Sequence, residues 1–313
     1  MSSPATLQRH QPAIGRDLWI GYALAATGAI LFSTKSIIIK LVYAEGVDSE
    51  TLLALRMILS VPIYLAIGFH GLRHSMSHAL ERPIRRLILR AAAIGALGYW
   101  LSSYLDFRGL EYISAQFERL ILFTYPFFVI LFGAAFFGQP VKTKALLAFA
   151  VAYGGLALLF MRDLTAIGAG AAYGAGFVLA AATSFALYQL LARNVIVEMG
   201  PRLFTCVAMS AAGIVAILQF FVTHDAGAIL VSPYVLAMGV ALAIGGTVLP
   251  SFFMNAALQR ISAQANSTIG TLSPVVTIFL AVIVLGEPLT WLDMVAAALV
   301  IAGVGAATLA DRR

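Results

Sequence analysis

The feature that most constrains this chain is a succession of long apolar segments separated by short polar connections. A helix that crosses the hydrocarbon core of a bilayer needs about 20 mostly apolar residues, and ten segments approach that length. They are Leu18–Val42, Thr51–Phe69, Leu87–Tyr104, Ala115–Phe137, Ala145–Met161, Gly174–Val197, Leu203–Val222, Pro233–Ala256, Gln264–Leu285 and Trp291–Leu309. Of the 313 residues 61% are hydrophobic and 11% are charged, which is too little polar surface for a water-soluble fold. The sequence therefore predicts an all-α integral membrane protein with ten transmembrane helices.

The distribution of arginine and lysine predicts the orientation of these helices. With a cytoplasmic N-terminus, fourteen of the 20 basic residues fall on the cytoplasmic side, against two, Arg108 and Arg162, on the other. The remaining four lie within predicted helices: Lys35, Lys40, Arg56 and Arg119. Cytoplasmic loops carry the excess of positive charge. We therefore expect a multi-pass protein of the inner (cell) membrane with both termini in the cytoplasm, residues 1–17 forming a cytoplasmic tail. The net charge of +6 is assigned to this orientation and not to nucleic-acid binding.

The second half of the chain repeats the first at a spacing of 148 residues, without a gap. The segment Leu110–Gln116 aligns with Leu258–Gln264, and the two share the run Ser-Ala-Gln. A proline, and then a Gly-x-Pro turn, follow at matched positions: Pro126 and Pro274, Gly138 and Gly286, Pro140 and Pro288. Apolar helices resemble one another by chance, but these polar and turn residues in fixed register do not. They indicate a duplication.

Each repeat holds five predicted helices, residues 18–161 and residues 174–309. Five is odd, so the second copy enters the membrane upside down. The charges beside the two Gly-x-Pro turns agree with this inversion: Lys142 and Lys144 follow the first, whereas Glu287 and Asp293 lie in and after the second. The sequence thus predicts two inverted five-helix repeats, an arrangement typical of secondary transporters.

These features resemble the EamA-type family of the drug/metabolite transporter superfamily. The resemblance covers Leu18–Leu309 and rests on the helix count, the paired repeats and the run Ser262–Pro288, with a weaker copy at Ser114–Pro140. The weaker copy departs from the pattern at Gln139, where the second copy has Glu287. The resemblance implies alternating access around a central cavity lined chiefly by helices 1, 3, 4, 6, 8 and 9. It also implies export of amino acids, other metabolites or drug-like molecules, although some members import metabolites.

Ionisable side chains inside the predicted helices are the first candidates for a substrate site, because such groups are costly in a bilayer. Lys35, Glu118 and Arg119 fall in the outer half of the membrane, and a Lys35–Glu118 ion pair is one hypothesis. Lys40 and Arg56 are interpreted as extending toward lipid headgroups. The substrate-cavity candidates are Lys35, Tyr99, Trp100, Glu118, Arg119, Tyr188, Gln189, Asn255 and Asn266. Trp100 is also a candidate for an interfacial aromatic belt.

The equivalent positions in the second repeat lack these charges. Glu118 and Arg119 correspond to Asn266 and Ser267, while Lys35 corresponds roughly to Tyr188. We therefore expect a basic outer half and a neutral inner half, a combination that favours an anionic group on the substrate. The matched prolines Pro126 and Pro274 predict either gating kinks or fixed bends, because proline removes a backbone donor within a helix. 

The function predicted from these patterns is secondary-active transport by alternating access, with export of amino acids or related small organic metabolites or drugs. The alternatives are an importer of an organic anion or metabolite, and a membrane-embedded enzyme or channel. The sequence shows no metalloprotease, nucleophile-elbow or nucleotide-binding motif, so we expect no catalytic residues, no cofactor and no metal. The spaced histidines His70, His74 and His78 are interpreted as part of a solvated basic loop. The expected partners are a small-molecule substrate and the lipid bilayer, and the patterns leave open whether the chain forms a homodimer.

Overall fold

The computed structural model describes residues 14–75, 84–138, 147, 150–158, 161, 168–270 and 272–312. These residues form helices joined by short turns, with no strand among them, and the all-α class is confirmed. In chain order the helices are α1 (Ile14–Ala44), α2 (Ser49–Ser75), α3 (Ile84–Gly95), α4 (Ser102–Leu110), α5 (Ala115–Leu122), α6 (Tyr125–Phe137), α7 (Ala169–Met199), α8 (Pro201–Thr223), α9 (Pro233–Ala243), α10 (Leu249–Arg260), α11 (Ala263–Ile269), α12 (Leu272–Leu285) and α13 (Trp291–Arg312). Residues 150–158 are also helical.

Six helical stretches of the described chain are long and apolar enough to cross a membrane. They are Asp17–Ala44, Ser49–Phe69, Ala115–Phe136, Ala169–Met199, Pro201–Thr223 and Pro233–Arg260. Two shorter apolar helices, Leu272–Leu285 and Trp291–Gly303, follow them. The total of ten stays a prediction, since much of the predicted segment Ala145–Met161 lies outside the described residues. The stretch 76–83 and the side chains of the three spaced histidines lie outside them as well. 

The third predicted segment is longer than the sequence suggested. The helical path begins at Ile84, passes through a π-helical turn at Ala96–Leu101 and ends at Leu110, six residues beyond the predicted end at Tyr104. The sequence predicts that Arg108 lies outside the membrane, beyond the end of this segment. In the structure Asp106 and Arg108 are both accommodated by helix α4, because Asp106 is buried and Arg108 pairs with a glutamate in the turn that follows.

The predicted fourth and ninth segments are each interrupted after about two turns. Helix α5 gives way to α6 at residues 123 and 124, and α11 ends at Ile269, shortly before α12 begins at Leu272. Pro126 lies in the first turn of α6 and Pro274 near the start of α12, where the missing proline N–H costs little. Both prolines therefore mark the start of a new helix, so the chain bends just before each of them.

Several local features of the backbone recur at the spacing of 148 residues. The π-helical turn Ala96–Leu101 is matched by a second one at Ile244–Val248. Ser114 and Ser262 each accept a hydrogen bond at 3.1 Å from the backbone N–H three residues later, which caps α5 and α11. Gly138 and Gly286 adopt left-handed conformations with φ of 64° and 65°. The local structure is thus duplicated with the sequence, while the inverted orientation of the two copies stays a prediction.

Candidate transport site

A narrow cavity lies between α1, the first π-helical turn, α4, α5, α7, α10 and α12. The volume of the cavity is about 50 Å³. Lys35, Asp106 and Arg119 form the charged part of its wall. Aromatic rings and serine hydroxyls form much of the remainder: Phe32, Tyr99, Phe123, Tyr125 and Phe185, with Ser102, Ser103 and Ser273. This volume is well below the roughly 300–1,000 Å³ of small-molecule sites, so the helices must separate before a metabolite enters.

The charged part of this wall is a buried ion pair. Lys35 on α1 donates to Oδ2 of Asp106 on α4, and the two side chains are 3% and 1% exposed. Removing either partner would leave an uncompensated buried charge. The sequence-based hypothesis paired Lys35 with Glu118, whereas the structure pairs it with Asp106.

Glu118 and Arg119 meet α1 at the residue after Lys35. Nη2 of Arg119 donates to Oγ of Ser36 at 2.5 Å, and Ser36 donates to Oε2 of Glu118 at 2.7 Å. Nε of Arg119 lies 3.8 Å from the same carboxylate oxygen. Both residues belong to α5, with Glu118 in its first turn after the Ser114 cap. The Ser114 cap fixes where α5 begins and so places both side chains against α1.

Asp106 is the site residue that the sequence analysis missed. It follows Tyr99 and Ser102 at spacings of seven and four residues, so a helix places all three on one face. All three line the cavity. This spacing indicates that Asp106 shares a face with Tyr99 and Ser102 only if the helix is known to continue past Tyr104.

Arg56 and Lys40 differ in their burial. Arg56 is 2% exposed, and its guanidinium carbon lies 4.8 Å from the ring centre of Phe107. Its Nε and Nη2 atoms have no hydrogen-bond partner among the described residues. The expectation that Arg56 reaches the lipid headgroups is therefore wrong, because its side chain packs inside the protein. Lys40 is half-buried on α1.

A neutral network occupies the second repeat's side of the bundle. Tyr188 donates to Oδ1 of Asn255 at 2.6 Å, and Nδ2 of Asn255 donates to Thr205 at 2.9 Å. Tyr99 joins through a 3.1 Å hydrogen bond between the two tyrosine hydroxyls, with ring centres 4.9 Å apart. Tyr188 and Asn255 are 2% and 0% exposed. These residues form a packed, uncharged network.

The charged and neutral networks occupy equivalent places in the two repeats. Nδ2 of Asn266 lies 3.4 Å from Oε1 of Gln189, and these residues align with Glu118 and Ser36, which also contact each other. Glycines of the two π-helical turns match as well. A Cβ added at Gly98 would overlap the ring of Tyr188, and one at Gly246 would lie 3.7 Å from Lys35. The equivalence of Lys35 and Tyr188 inferred from the sequence thus has a structural counterpart.

The candidates named from the sequence divide into three groups by position. Lys35, Tyr99 and Arg119 line the cavity. Glu118, Tyr188, Gln189, Asn255 and Asn266 are buried beside it in the two networks. Trp100 points elsewhere, since its Nε1 donates to Gln219 on α8 at 2.7 Å and its ring stacks on that of Tyr104. Their roles in substrate binding stay predictions, as do the gating roles of Pro126 and Pro274.

One more contact joins the two repeats at the N-terminus of α5. The carboxylate of Glu287, in the turn between α12 and α13, accepts hydrogen bonds from the backbone N–H groups of Ala115 at 2.9 Å and Gln116 at 3.2 Å. These N–H groups have no partner within the helix. Glu287 therefore caps the helix that carries Glu118 and Arg119.

Comparison with known proteins agrees with this architecture. The model of the EamA-like transporter family matches residues 19–161 and 172–309. The chain is 28% identical over 284 residues to the "Uncharacterized transporter YcbK" of Bacillus subtilis (strain 168), a match that covers 90% of each protein. A solved crystal structure of a protein with 19% identity has a TM-score of 0.65 and covers 94% of this chain and 98% of that chain, which shows a shared fold. With its long apolar helices, this multi-pass membrane protein belongs to the EamA-like transporter family.

Proposed function

We propose that the protein is a secondary-active transporter that exports amino acids or related small organic metabolites or drugs by alternating access. The observation that carries the proposal is the buried charged cluster in the wall of the cavity. Charges inside a membrane are costly and mark substrate or ion pathways. In a protein of a transporter family, a cavity bordered by such charges is the natural substrate site.

The recurring backbone features support alternating access by two five-helix repeats, which the loop charges predict to be inverted, with both termini in the cytoplasm. Each repeat contains a π-helical turn and a helix interrupted before a proline. Such interruptions are common where a helix bends or a site is built. Pro126 and Pro274 would then set the points about which the broken helices move.

The charge balance of the cavity wall favours a substrate with a carboxylate. Asp106 neutralises Lys35 directly, but the guanidinium of Arg119 is only partly engaged: Nη2 donates to Ser36 and to the carbonyl of Phe32, at 3.2 Å. Nε has no hydrogen-bond partner among the described residues. Arg119 thus keeps a donor available at the cavity, and the planar guanidinium suits a carboxylate.

Counterflow into proteoliposomes tests this function without requiring a known driving ion. Proteoliposomes that contain the purified protein are loaded with one unlabelled compound, and the entry of the labelled compound is compared with its entry into protein-free liposomes. The compounds tested are L-amino acids, organic acids and amines. We expect counterflow of at least one carboxylated compound, and its loss in Lys35→Ala and Arg119→Gln proteins that still insert normally, because both side chains line the cavity. Arg108→Gln is the matched control, because Arg108 pairs with Glu111 at the end of α4, away from the cavity wall. Normal counterflow by both cavity variants would refute the assigned site, and movement of amines alone would refute the carboxylate preference.

The alternative of an importer is favoured by one observation. The charged network belongs to the repeat whose charges are predicted to face the outer half of the membrane, where an incoming anion would first arrive. Net flux measured from both sides of oriented proteoliposomes decides between export and import.

A further inference from the structure

We propose that Asp106 and Glu118 together hold one exchangeable proton inside the membrane, which makes this pair the site where transport is coupled to protons. The inference rests on the proposed transport function for its physiological role, but the proton site itself can be observed without transport.

The first argument is the closeness of two carboxyl groups. Asp106 on α4 and Glu118 on α5 lie within hydrogen-bonding reach of each other, and both are at most 1% exposed. Two ionised carboxylates have no proton to share and repel each other strongly where water is excluded. A hydrogen bond between them therefore requires that one carboxyl be protonated.

The second argument is a count of donors. Oδ2 of Asp106 accepts from Lys35, and Oε2 of Glu118 accepts from Ser36. The remaining oxygens, Oδ1 of Asp106 and Oε1 of Glu118, have no donor among the described residues. Buried acceptors without a donor are costly. One proton between the two carboxyl groups satisfies both of these oxygens at once.

The neighbouring charges assign the proton to Glu118. Lys35 contacts Asp106 directly and therefore favours its ionised form. Glu118 has the hydroxyl of Ser36 and, farther away, Nε of Arg119 at 3.8 Å. Arg56 and Lys40 act on the cluster at longer range, Arg56 on Asp106 and Lys40 on Glu118. The protonated Glu118 then donates to Asp106, whose negative charge is balanced by Lys35.

The position of Arg119 links this proton to the substrate. When Glu118 carries the proton, Arg119 is free to bind a substrate carboxylate in the cavity. When the proton leaves toward the solution, Glu118 becomes a carboxylate beside Arg119 and competes for the same guanidinium. Proton and carboxylate therefore bind together and move in the same direction. Such a carrier exports a metabolite that accumulates inside the cell, and imports it when the outside is more acidic.

Infrared difference spectroscopy of the purified, lipid-reconstituted protein tests the site directly. A protonated carboxyl group has a C=O stretching band that carboxylates lack. We expect the wild-type protein to show a band of a buried carboxylic acid that disappears on alkalinisation, and the Glu118→Gln protein to lack it. Glu111→Gln is the matched control, because Glu111 is a half-buried carboxylate paired with Arg108 at the end of α4, and its removal should leave the band unchanged. 

Two further variants keep the test decisive if Glu118→Gln does not fold. Asp106→Asn removes the negative charge of one hydrogen-bond partner of the Glu118 carboxyl, and Ser36→Ala removes the other partner, so each should shift the frequency of the band. The proposal is overturned if the wild-type protein shows no titrating band, or if the band is identical in the variants that fold. Counterflow without the band would leave the transport function standing and reject the proton site. The band without counterflow would leave the proton site standing and reject the transport function.

Discussion

Glu287 provides the sharpest prediction, because a single carboxylate joins the second repeat to the helix that carries the charged site. Its two hydrogen bonds to the first N–H groups of α5 fasten the turn after α12 to the start of α5. Opening the cavity at the end where α5 begins, which is predicted to face the outside of the cell, requires the turn after α12 to separate from α5. We therefore expect the Glu287 cap to stabilise the state that is closed at this end.

The size of the effect follows from the change in the cap. In Glu287→Gln the shape is conserved and one oxygen acceptor remains, but the negative charge at the positive end of α5 is lost. Loss of an N-terminal cap costs about 0.5–2 kcal/mol, and loss of the charge interaction alone costs about 0.3–1 kcal/mol. We expect a change of about 1 kcal/mol, which shifts the ratio of open to closed molecules about fivefold.

Accessibility of a cysteine in the cavity measures this shift. The chain has one cysteine, Cys206, which is buried, so Cys206→Ser gives a cysteine-free background. Ser103→Cys then places a thiol in the cavity wall, and its reaction with a membrane-impermeant maleimide is followed in intact cells. With Glu287→Gln we expect the rate to rise about fivefold, in line with the loss of about 1 kcal/mol. The matched control is Glu45→Gln, which removes an exposed carboxylate after α1. Equal labelling rates with and without Glu287→Gln would show that this cap does not hold the cavity closed.

Three other predictions concern packing, pH and topology. Gly98→Val should lower the free energy of unfolding by about 1–3 kcal/mol, seen as a lower thermal midpoint, because its side chain would overlap the ring of Tyr188. Partial burial alone would raise the pKa of Asp48, but hydrogen bonds from the first turn of α2 hold that pKa below its ordinary value of 3.8. Asp48 therefore stabilises the fold fully above pH 3.8, and the loss of thermal midpoint caused by Asp48→Asn should shrink as the pH falls from 3.8 through the lower pKa of the folded state. Single cysteines replacing Glu45 and Arg202 should react only from outside and only from inside the cell, respectively.

Each of these predictions has a clear contrary result. Gly154→Val is the packing control, because an added Cβ there meets no described atom within 4 Å, and equal midpoints for the two valine variants would refute the steric argument. A difference in thermal midpoint between the wild-type and Asp48→Asn proteins that is constant with pH would show that the hydrogen bonds of residue 48 do not depend on a carboxylate. Labelling of both cysteines from one side would reject the inverted topology.

The sequence predicted the architecture better than the partners within the site. Periodic apolar segments and the repeat at 148 residues are local or statistical signals, so they indicated helices and matched turns without knowledge of contacts. The predicted start of the fourth segment at Ala115 comes from such a signal, and in the structure Ser114 caps the helix that begins there. The ion pair of Lys35 with Asp106 is different, because it depends on where a helix ends and on how two helices face each other. A boundary placed six residues too early removed Asp106 from the list of candidates.

Glu287 illustrates the same limit. In the sequence the charge of Glu287 indicates orientation, and in the structure the same carboxylate caps α5. Its partners are backbone N–H groups 171 and 172 residues away, and backbone donors carry no mark in a sequence. Contacts of this kind appear only when the helices are packed together.

The two repeats have similar local backbones and unequal side-chain chemistry, and this inequality bears on the energetics of transport. The π-helical turns, interrupted helices and caps recur at matched positions. If the repeats are inverted, a symmetric backbone alone would give inward-open and outward-open states of equal free energy. Side chains that differ between the halves then decide which state prevails. Each shifts the equilibrium by the difference between its interaction free energies in the two states. Glu287, matched in sequence by Gln139, and Glu118, matched by Asn266, are such side chains. We therefore expect the resting state to be set by a few substitutions at equivalent positions, not by a difference in fold between the halves.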